Sequence, residues 1–294
     1  MPISLSDVSP LRYPGSKAAL VNYISELIKE NNLAGCHFIE PYAGSAIVSL
    51  KLIENNIASK AIIVERDPLI YAFWQSVFDF SDMLVQKIYE LPISIDTWHE
   101  FQKYRKTDNL NTYPLIEMGL AGFFFNRTNF SGILKANPLG GLKQESQYKI
   151  NCRFNKSRLI EQIQKISQMR KRVKVVFGDA LSYIKKSKSY YFKKHSCFLY
   201  VDPPYYEKGK DLYRYWYNHN DHKNLAQVLT KLSIPWIASY DNHKEIRNIY
   251  SKANAVETMY FDYTISRWRK EQELLISNLE IPPGVKALFK TELA

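Results

Sequence analysis

Only three cysteines stand in the 294 residues, Cys36, Cys152 and Cys197, and no two have the spacing of a metal-ligand pair. So sparse and odd a set excludes a disulfide scaffold, and the thiols are expected to stay reduced, as in a cytoplasm. A thiol nucleophile has no histidine in a suggestive context to activate it. No apolar run approaches the length of a membrane span, so no membrane partner is expected. The opening stretch MPISLSDVSPLRYPGSK lacks the apolar centre of a signal peptide. G-x-G-x-x-G is absent too, which removes the positive case for a dinucleotide pyrophosphate. No internal repeat is evident, and the only biased tract is a Lys/Ser/Tyr run at 185–194.

What is present begins with charge. Net charge is +11, and the segment from Lys135 to Lys194 holds 16 Lys or Arg against Glu145, Glu161 and Asp179. That segment alone is more positive than the whole chain, so the rest is close to neutral. A local excess of this size suits a polyanion better than general solubility does. Aromatic content is 14%, including 21 Tyr, and tyrosine packs while keeping a polar tip for wet binding surfaces.

Five short apolar runs, Cys36–Glu40, Lys60–Glu65, Val173–Phe177, Cys197–Val201 and Pro235–Ser239, read as buried parallel strands. Helical patterns at Ser45–Glu54, Ala180–Lys186 and Asp221–Leu232 fall between them. The alternation predicts an α/β fold with a doubly wound, mostly parallel sheet. Ala255–Tyr263 and Glu273–Leu279 have no helix between them and predict a C-terminal antiparallel hairpin at a sheet edge. Between Pro68 and Arg172 the alternation stops. Helical patterns occur there at Leu69–Leu91, Trp98–Tyr104, Tyr113–Phe125 and Lys156–Met169, with a Gly/Pro/Asn-rich stretch at Asn126–Gly141. This predicts a catalytic unit made of residues 1–70 and 172–294, with an inserted, mostly helical recognition lobe at 71–171.

The chemistry concentrates at strand ends. Asp202-Pro203-Pro204-Tyr205 closes the run CFLYV. Two prolines stop a strand and fix an extended turn, so an Asp carboxylate and nearby carbonyls can be aimed at an amine that donates hydrogen bonds. Tyr205 offers a face for stacking, with Tyr206 second. The plain alternative, a strand-ending turn, is equally good for four residues taken alone. Glu40-Pro41-Tyr42-Ala43-Gly44-Ser45-Ala46 runs from a strand into a helix, where Gly44 permits a tight turn and close ligand approach. Glu65-Arg66-Asp67 ends the second strand, and either acid could hold ribose hydroxyls. Asp179 follows the third strand, as a nucleobase acceptor or simply a helix N-cap. Arg12–Lys17 precedes a helix, with Tyr13 placed to stack and Lys17 to meet a carboxylate. Each motif alone is as easily structural. Their common position at the ligand edge of the sheet is what argues for function.

These residues, in this order, resemble the Dam-type N6-adenine-specific DNA methyltransferases. Arg12–Lys17 is similar to that family's N-terminal cofactor motif, Glu40–Ala46 to its E-P-F-x-G-x-G motif, and Glu65–Asp67 to its second-strand acid motif. Asp202–Tyr205 matches its D-P-P-Y motif, and Phe124–Gly132 resembles the segment entering its DNA-reading hairpin. Ala46 departs from the pattern, standing where a second Gly is frequent. The resemblance implies a Rossmann-like methyltransferase fold and S-adenosyl-L-methionine as cofactor, leaving as S-adenosyl-L-homocysteine, with no metal. Tyr13 and Lys17 would meet the cofactor's methionine end. Glu40, Pro41 and Gly44 would shape its loop, Glu65 (with Asp67 second) would hold the ribose, and Asp179 the adenine. Asp202 would lie between cofactor and target base, with Pro203, Pro204 and Tyr205 gripping the base.

For DNA, Lys143, Lys149, Arg153, Lys156 and Arg158 are the phosphate candidates, and Asn126, Arg127 and Asn129 the candidates for base edges. The alternative is a solvated basic face with Asn in turns. Glu207–Asn220 is expected to be a loop that orders over a flipped base. Double-stranded DNA is the expected partner. A monomer or weak dimer of bacterial or phage origin, cytoplasmic and near the nucleoid, is expected, with a cognate restriction endonuclease as a candidate partner. RNA methylation, small-molecule or protein methylation, N4-cytosine methylation and an inactive DNA-binding regulator are the competing readings.

Overall fold

A computed structural model describes residues 9–12, 17–264, 268–283 and 285, without the side chains of 260–264 and 268–271. The apolar runs form five parallel strands, β1 (Cys36–Glu40), β2 (Ala58–Glu65), β3 (Val173–Phe177), β4 (Cys197–Val201) and β5 (Trp236–Asp241). The two last strands, β6 (Ala255–Thr264) and β7 (Trp268–Ser277), pair antiparallel. The sheet runs β3-β2-β1-β4-β5-β7-β6, so β7 is inserted beside β5 and β6 takes the edge. This is the doubly wound, Rossmann-like methyltransferase architecture, with the switch in strand direction of travel between β1 and β4.

Alternation along the strands divides two cores. Phe38, Phe198, Tyr200 and Ile237 face one side, and Ile39, Leu199, Val201, Trp236 and Ala238 the other. The first side is covered by α1 (Leu20–Glu30), α2 (Ile47–Glu54) and the inserted helices α3 (Pro68–Asp79), α4 (Ser81–Glu90), α5 (Ile95–Arg105), α6 (Leu115–Thr128) and α7 (Lys156–Ser167). On the second lie α8 (Ala180–Ser189), α9 (Tyr191–Lys194), α11 (His219–Leu229) and α12 (Lys244–Ile249). The single turn α10 (Gly209–Leu212) belongs to the segment after β4.

The inserted helices do not build a core of their own. Phe73, Trp74, Phe123 and Phe124 belong to the same apolar cluster as Phe38 and Ala61 of the sheet. A boundary at residue 70 falls inside α3. Helix α6 lies against α3 through glycine: a Cβ on Gly122 would come 2.6 Å from the Leu69 carbonyl oxygen, and one on Gly119 2.7 Å from that of Ala72. No side chain fits such a contact without moving a helix. The long pattern Leu69–Leu91 is two helices, because Phe80 leaves helical geometry (φ −134°) and Asp82 favours a new N-terminus. Asn126–Gly141 forms no regular hairpin: α6 ends at Thr128, a short 3-10 turn follows at Phe130–Gly132, and one isolated bridge joins Asn129 to Pro138. Among the described residues no helix is long and apolar enough to cross a membrane.

Candidate active site

A cleft of about 840 Å³ opens where β1, β2 and β4 end. Open α/β sheets place ligands at this switch point because the strand ends diverge there. Its floor is the turn after β1. Gly44 (φ 46°) and Ala46 (φ 49°) are both left-handed, so the frequent glycine at position 46 has a backbone reason, and here an alanine accepts the strain. The Gly44 amide donates to Glu65 Oε2 at 3.0 Å, and Trp74 Nε1 donates to the Gly44 carbonyl at 2.9 Å.

The cleft is lined with buried acids. Glu65 Oε1 accepts from the amides of Arg66 and Asp67, each at 2.8 Å. Glu40 Oε2 accepts from the Ser49 amide at 3.0 Å and the Ser49 hydroxyl at 2.5 Å. Burial pushes Glu40 up to about 8 and Glu65 up to about 7, against the hydrogen bonds that favour their charged forms. Asp202 caps β4. Its Oδ1 accepts from Ser239 at 2.6 Å and pairs with Lys17 Nζ at 3.1 Å, and burial still raises its pKa. Oδ2 takes no hydrogen bond from the described residues, and Asp202 lines the cleft. Lys17, buried at 4% exposure, also pairs with Glu273 Oε1 at 3.4 Å. The Tyr205 hydroxyl donates to that same Glu273 oxygen at 3.0 Å, and Lys17 Nζ lies 5.0 Å from the Tyr205 ring centre. The Asp241 carboxylate accepts from the amides of Tyr206 and Glu207, which fixes the turn beyond the prolines.

A strap closes one side. Tyr213, Arg214, Tyr215 and Tyr217 all line the cleft. Arg214 donates to Asp67 at 2.9 Å and to the Thr107 carbonyl at 2.9 Å. The Tyr215 hydroxyl donates to Asp108 at 2.6 Å, and that of Tyr42 to Tyr217 at 2.9 Å. Lys135 Nζ donates to the Tyr213 carbonyl at 3.1 Å. The expected loop over the base therefore stands as a wall of the cleft beside Glu65 and Asp179.

The profile of the D12 class N6 adenine-specific DNA methyltransferases matches residues 13–262. The chain belongs to that family. Curated protein sequences give no match. Among solved structures, the chain is similar to a Pyrococcus horikoshii protein provisionally described as an RNA methyltransferase. Identity there is 11% and the TM-score 0.46, over 94% of this chain and 92% of that one. It is also similar to the yhhF protein of Escherichia coli, provisionally described as a methyltransferase, with 10% identity and TM-score 0.33 over 91% and 90% of the two chains.

Membership makes this D12 chain a methyltransferase and implies S-adenosylmethionine as its methyl donor. The fold brings Lys17, Glu40, Pro41, Gly44, Glu65, Asp67, Asp179, Asp202 and Pro204 to one cleft. Pro203 is buried behind it, Tyr205 points its hydroxyl to Glu273, and Tyr13 lies outside the described residues. Both second-strand acids line the cleft and both are engaged: Asp67 caps α3 through the Leu69 amide and pairs with Arg214, while Glu65 accepts only backbone amides and has no cationic partner among the described residues. Asp179 caps α8 through Oδ1 and sets Oδ2 3.7 Å from Arg66. The N-cap is therefore present, and the residue also lines the cleft.

The inserted segment is different. Asn126 is fully buried, accepting from the Arg12 amide at 2.7 Å and donating to the Arg12 and Gly132 carbonyls. Buried Asn129 accepts from Trp98 Nε1 and donates to the carbonyls of Ile133 and Leu134. Arg127 donates to the carbonyls of Arg153 and Pro10. Asn126 and Asn129 thus hold the turn that follows α6, and Arg127 ties α6 to the segments at Pro10 and Arg153. Lys143, Lys149, Arg153 and Arg158 are exposed, and Lys156 donates to the Tyr89 carbonyl at 2.6 Å. The basic segment itself divides. Arg170, Lys171 and Arg172 precede β3, and Lys193 and Lys194 precede β4, at the end of the sheet opposite the cleft. Ser239, Asp241 and Glu273 are parts of the site that no sequence motif marked.

Proposed function

We propose that this chain transfers a methyl group from S-adenosylmethionine to the N6 amine of adenine in duplex DNA, with the adenine turned out of the stack. The observation that carries this reading is Asp202. Its carboxylate lines the cleft and is held through Oδ1 by Ser239 and Lys17, which leaves Oδ2 without a hydrogen bond from the described residues and available to an amine that donates.

The cleft fits the cofactor. Three buried carboxylates, Glu40, Glu65 and Asp202, are all disfavoured as anions by burial and would be relieved by a cationic ligand rich in donors. In this reading Glu65 accepts from the ribose hydroxyls, Asp179 and the aromatic strap hold the adenine, and the Gly44 turn takes the methionine end. When bound, the cofactor supplies an electrophilic methyl group. The chain's own work is then positioning and electrostatics. Asp202 Oδ2 and a backbone carbonyl of the proline turn accept from the amine, raise electron density on its nitrogen and fix its direction. Asp202 is also the group placed to take the proton that the amine releases. Tyr213, Arg214 and Tyr215 keep water from the flank. Extruding the base costs a few kcal/mol, which stacking and edge hydrogen bonds return. The exposed Lys143, Lys149, Arg153 and Arg158 hold the phosphates.

The test is incubation with methyl-labelled S-adenosylmethionine and mixed-sequence duplex DNA, followed by digestion to nucleosides. Label in N6-methyldeoxyadenosine is the expected result. Cofactor binding without label in DNA, but with label in structured RNA, would replace DNA by RNA as the substrate.

A further inference from the structure

Glu273 belongs to no motif, yet it sits under the catalytic turn. It lies on β7, 3% exposed, directly opposite Asp241 in the β5–β7 ladder. The two acids divide the turn between them: Asp241 accepts the amides of Tyr206 and Glu207, and Glu273 accepts the Tyr205 hydroxyl. Glu273 also reaches the buried ammonium of Lys17, which stands between it and Asp202.

We propose that Glu273 is a positioning residue for methyl transfer, drawing Lys17 partly away from Asp202 so that the Asp202 carboxylate keeps its strength as an acceptor. An ammonium buried against a single carboxylate would neutralise much of its charge, because little water is there to screen the pair. Sharing Lys17 between two acids weakens that neutralisation while still holding Asp202 in place. The hydroxyl bond from Tyr205 adds a second function, since it fixes the ring that follows the prolines. This inference rests on Asp202 being the amine acceptor.

Among the described residues, the titratable groups around the pair are Lys17, Glu40, Tyr200, Tyr205 and Tyr213. Among them, Glu273 acts on Asp202 as a like charge that raises its pKa, and Lys17 lowers it. Removing the Glu273 charge therefore lowers the pKa of Asp202, and the acid limb of the rate profile moves to lower pH.

The experiment compares Glu273→Gln, Glu273→Ala and Asp202→Asn in the full chain, with calorimetric S-adenosylhomocysteine binding and thermal melting as checks on the fold. Glu273→Gln keeps shape and hydrogen bonds but not charge. It is expected to lower kcat about ten- to a hundredfold, leave KM for DNA and cofactor within about threefold, and move the acid limb of kcat down by about one pH unit. Glu273→Ala should lower kcat further, because the Tyr205 bond is lost too. If Glu273→Gln binds the homocysteine product normally and keeps both kcat and the acid limb, the inference is overturned while an inactive Asp202→Asn leaves the proposed function intact. An active Asp202→Asn would instead overturn the proposed function itself.

Discussion

Polar residues in the cleft and in the inserted turn are both withdrawn from solvent, the asparagines fully and Asp202 in part, yet they are used in opposite ways. Glu65 and Asp202 both line a cavity: Asp202 is held through Oδ1 alone, and the two Glu65 oxygens accept only backbone amides. Asn126 and Asn129 have both amide atoms paired: each donates to carbonyls of the turn that follows α6, and their oxygens accept from the Arg12 amide and from Trp98 Nε1. A buried acid without full compensation is costly and persists where a ligand relieves it. A buried amide with every atom paired is a clamp. The contrast separates a site from its scaffold better than residue type does.

The sharpest break of this comparison is Asp202→Asn. An amide keeps the volume and can still accept from Ser239, but it carries no charge toward the amine. Turnover is expected to fall on the order of 10²–10³-fold, with cofactor and DNA affinities nearly unchanged. Measured single-turnover rates and binding isotherms decide this. A fall in affinity with normal single-turnover chemistry would place Asp202 among the binding groups only.

Asn126→Ala attacks the other side. It removes the partner of the part-buried Arg12 amide and carbonyl, which water can reach, and of the buried Gly132 carbonyl, and an unmet buried group costs about 1–3 kcal/mol. A loss of roughly 2–4 kcal/mol in denaturant unfolding is expected, with the preferred DNA sequence unchanged among molecules that remain folded. A variant of normal stability that methylates a different site would give Asn126 back its role at the base edge.

How much of this was legible beforehand follows the same division. Strands β1 to β5 were readable because buried parallel strands need nearly unbroken apolar runs, and the strand-end acids were readable because they interrupt those runs. The break at Phe80 was hidden, since both flanking helices keep apolar residues at helical spacing. Asn126 read as a base contact because an amide meets an adenine edge and a backbone with the same atoms. Lys17 was expected at the cofactor, but its partners Asp202 and Glu273 come from β4 and β7, and no local pattern announces a pairing across the sheet. Glu273 read only as the first residue of the strand Glu273–Leu279.

Titration offers a finer probe of the cleft. Glu65 is held near 7 in the free protein, so it is largely protonated at pH 6 and largely ionised at pH 8. If ribose hydroxyls donate to its carboxylate, the ligand favours the ionised form and binding releases a proton. Affinity for S-adenosylhomocysteine should then rise by about tenfold from pH 6 to pH 8, and Glu65→Gln should flatten that rise. A slope that survives in Glu65→Gln would assign it to Glu40, which burial lifts to about 8.

The smallest effect tests the exposed cations one at a time. Lys143, Lys149 and Arg153 project from irregular segments with no buried role, so their removal should not alter stability. Each that contacts a phosphate contributes about 0.9 to the slope of log affinity against log salt, and its change to Ala should reduce the slope by that amount with sequence preference unchanged. Lys171, at the start of β3 and away from the cleft, serves as the comparison: its change to Ala should leave the slope as it was. Equal losses at Lys143 and Lys171 would mean that the positive field acts as a whole, and that the cleft end of the molecule has no special hold on the duplex.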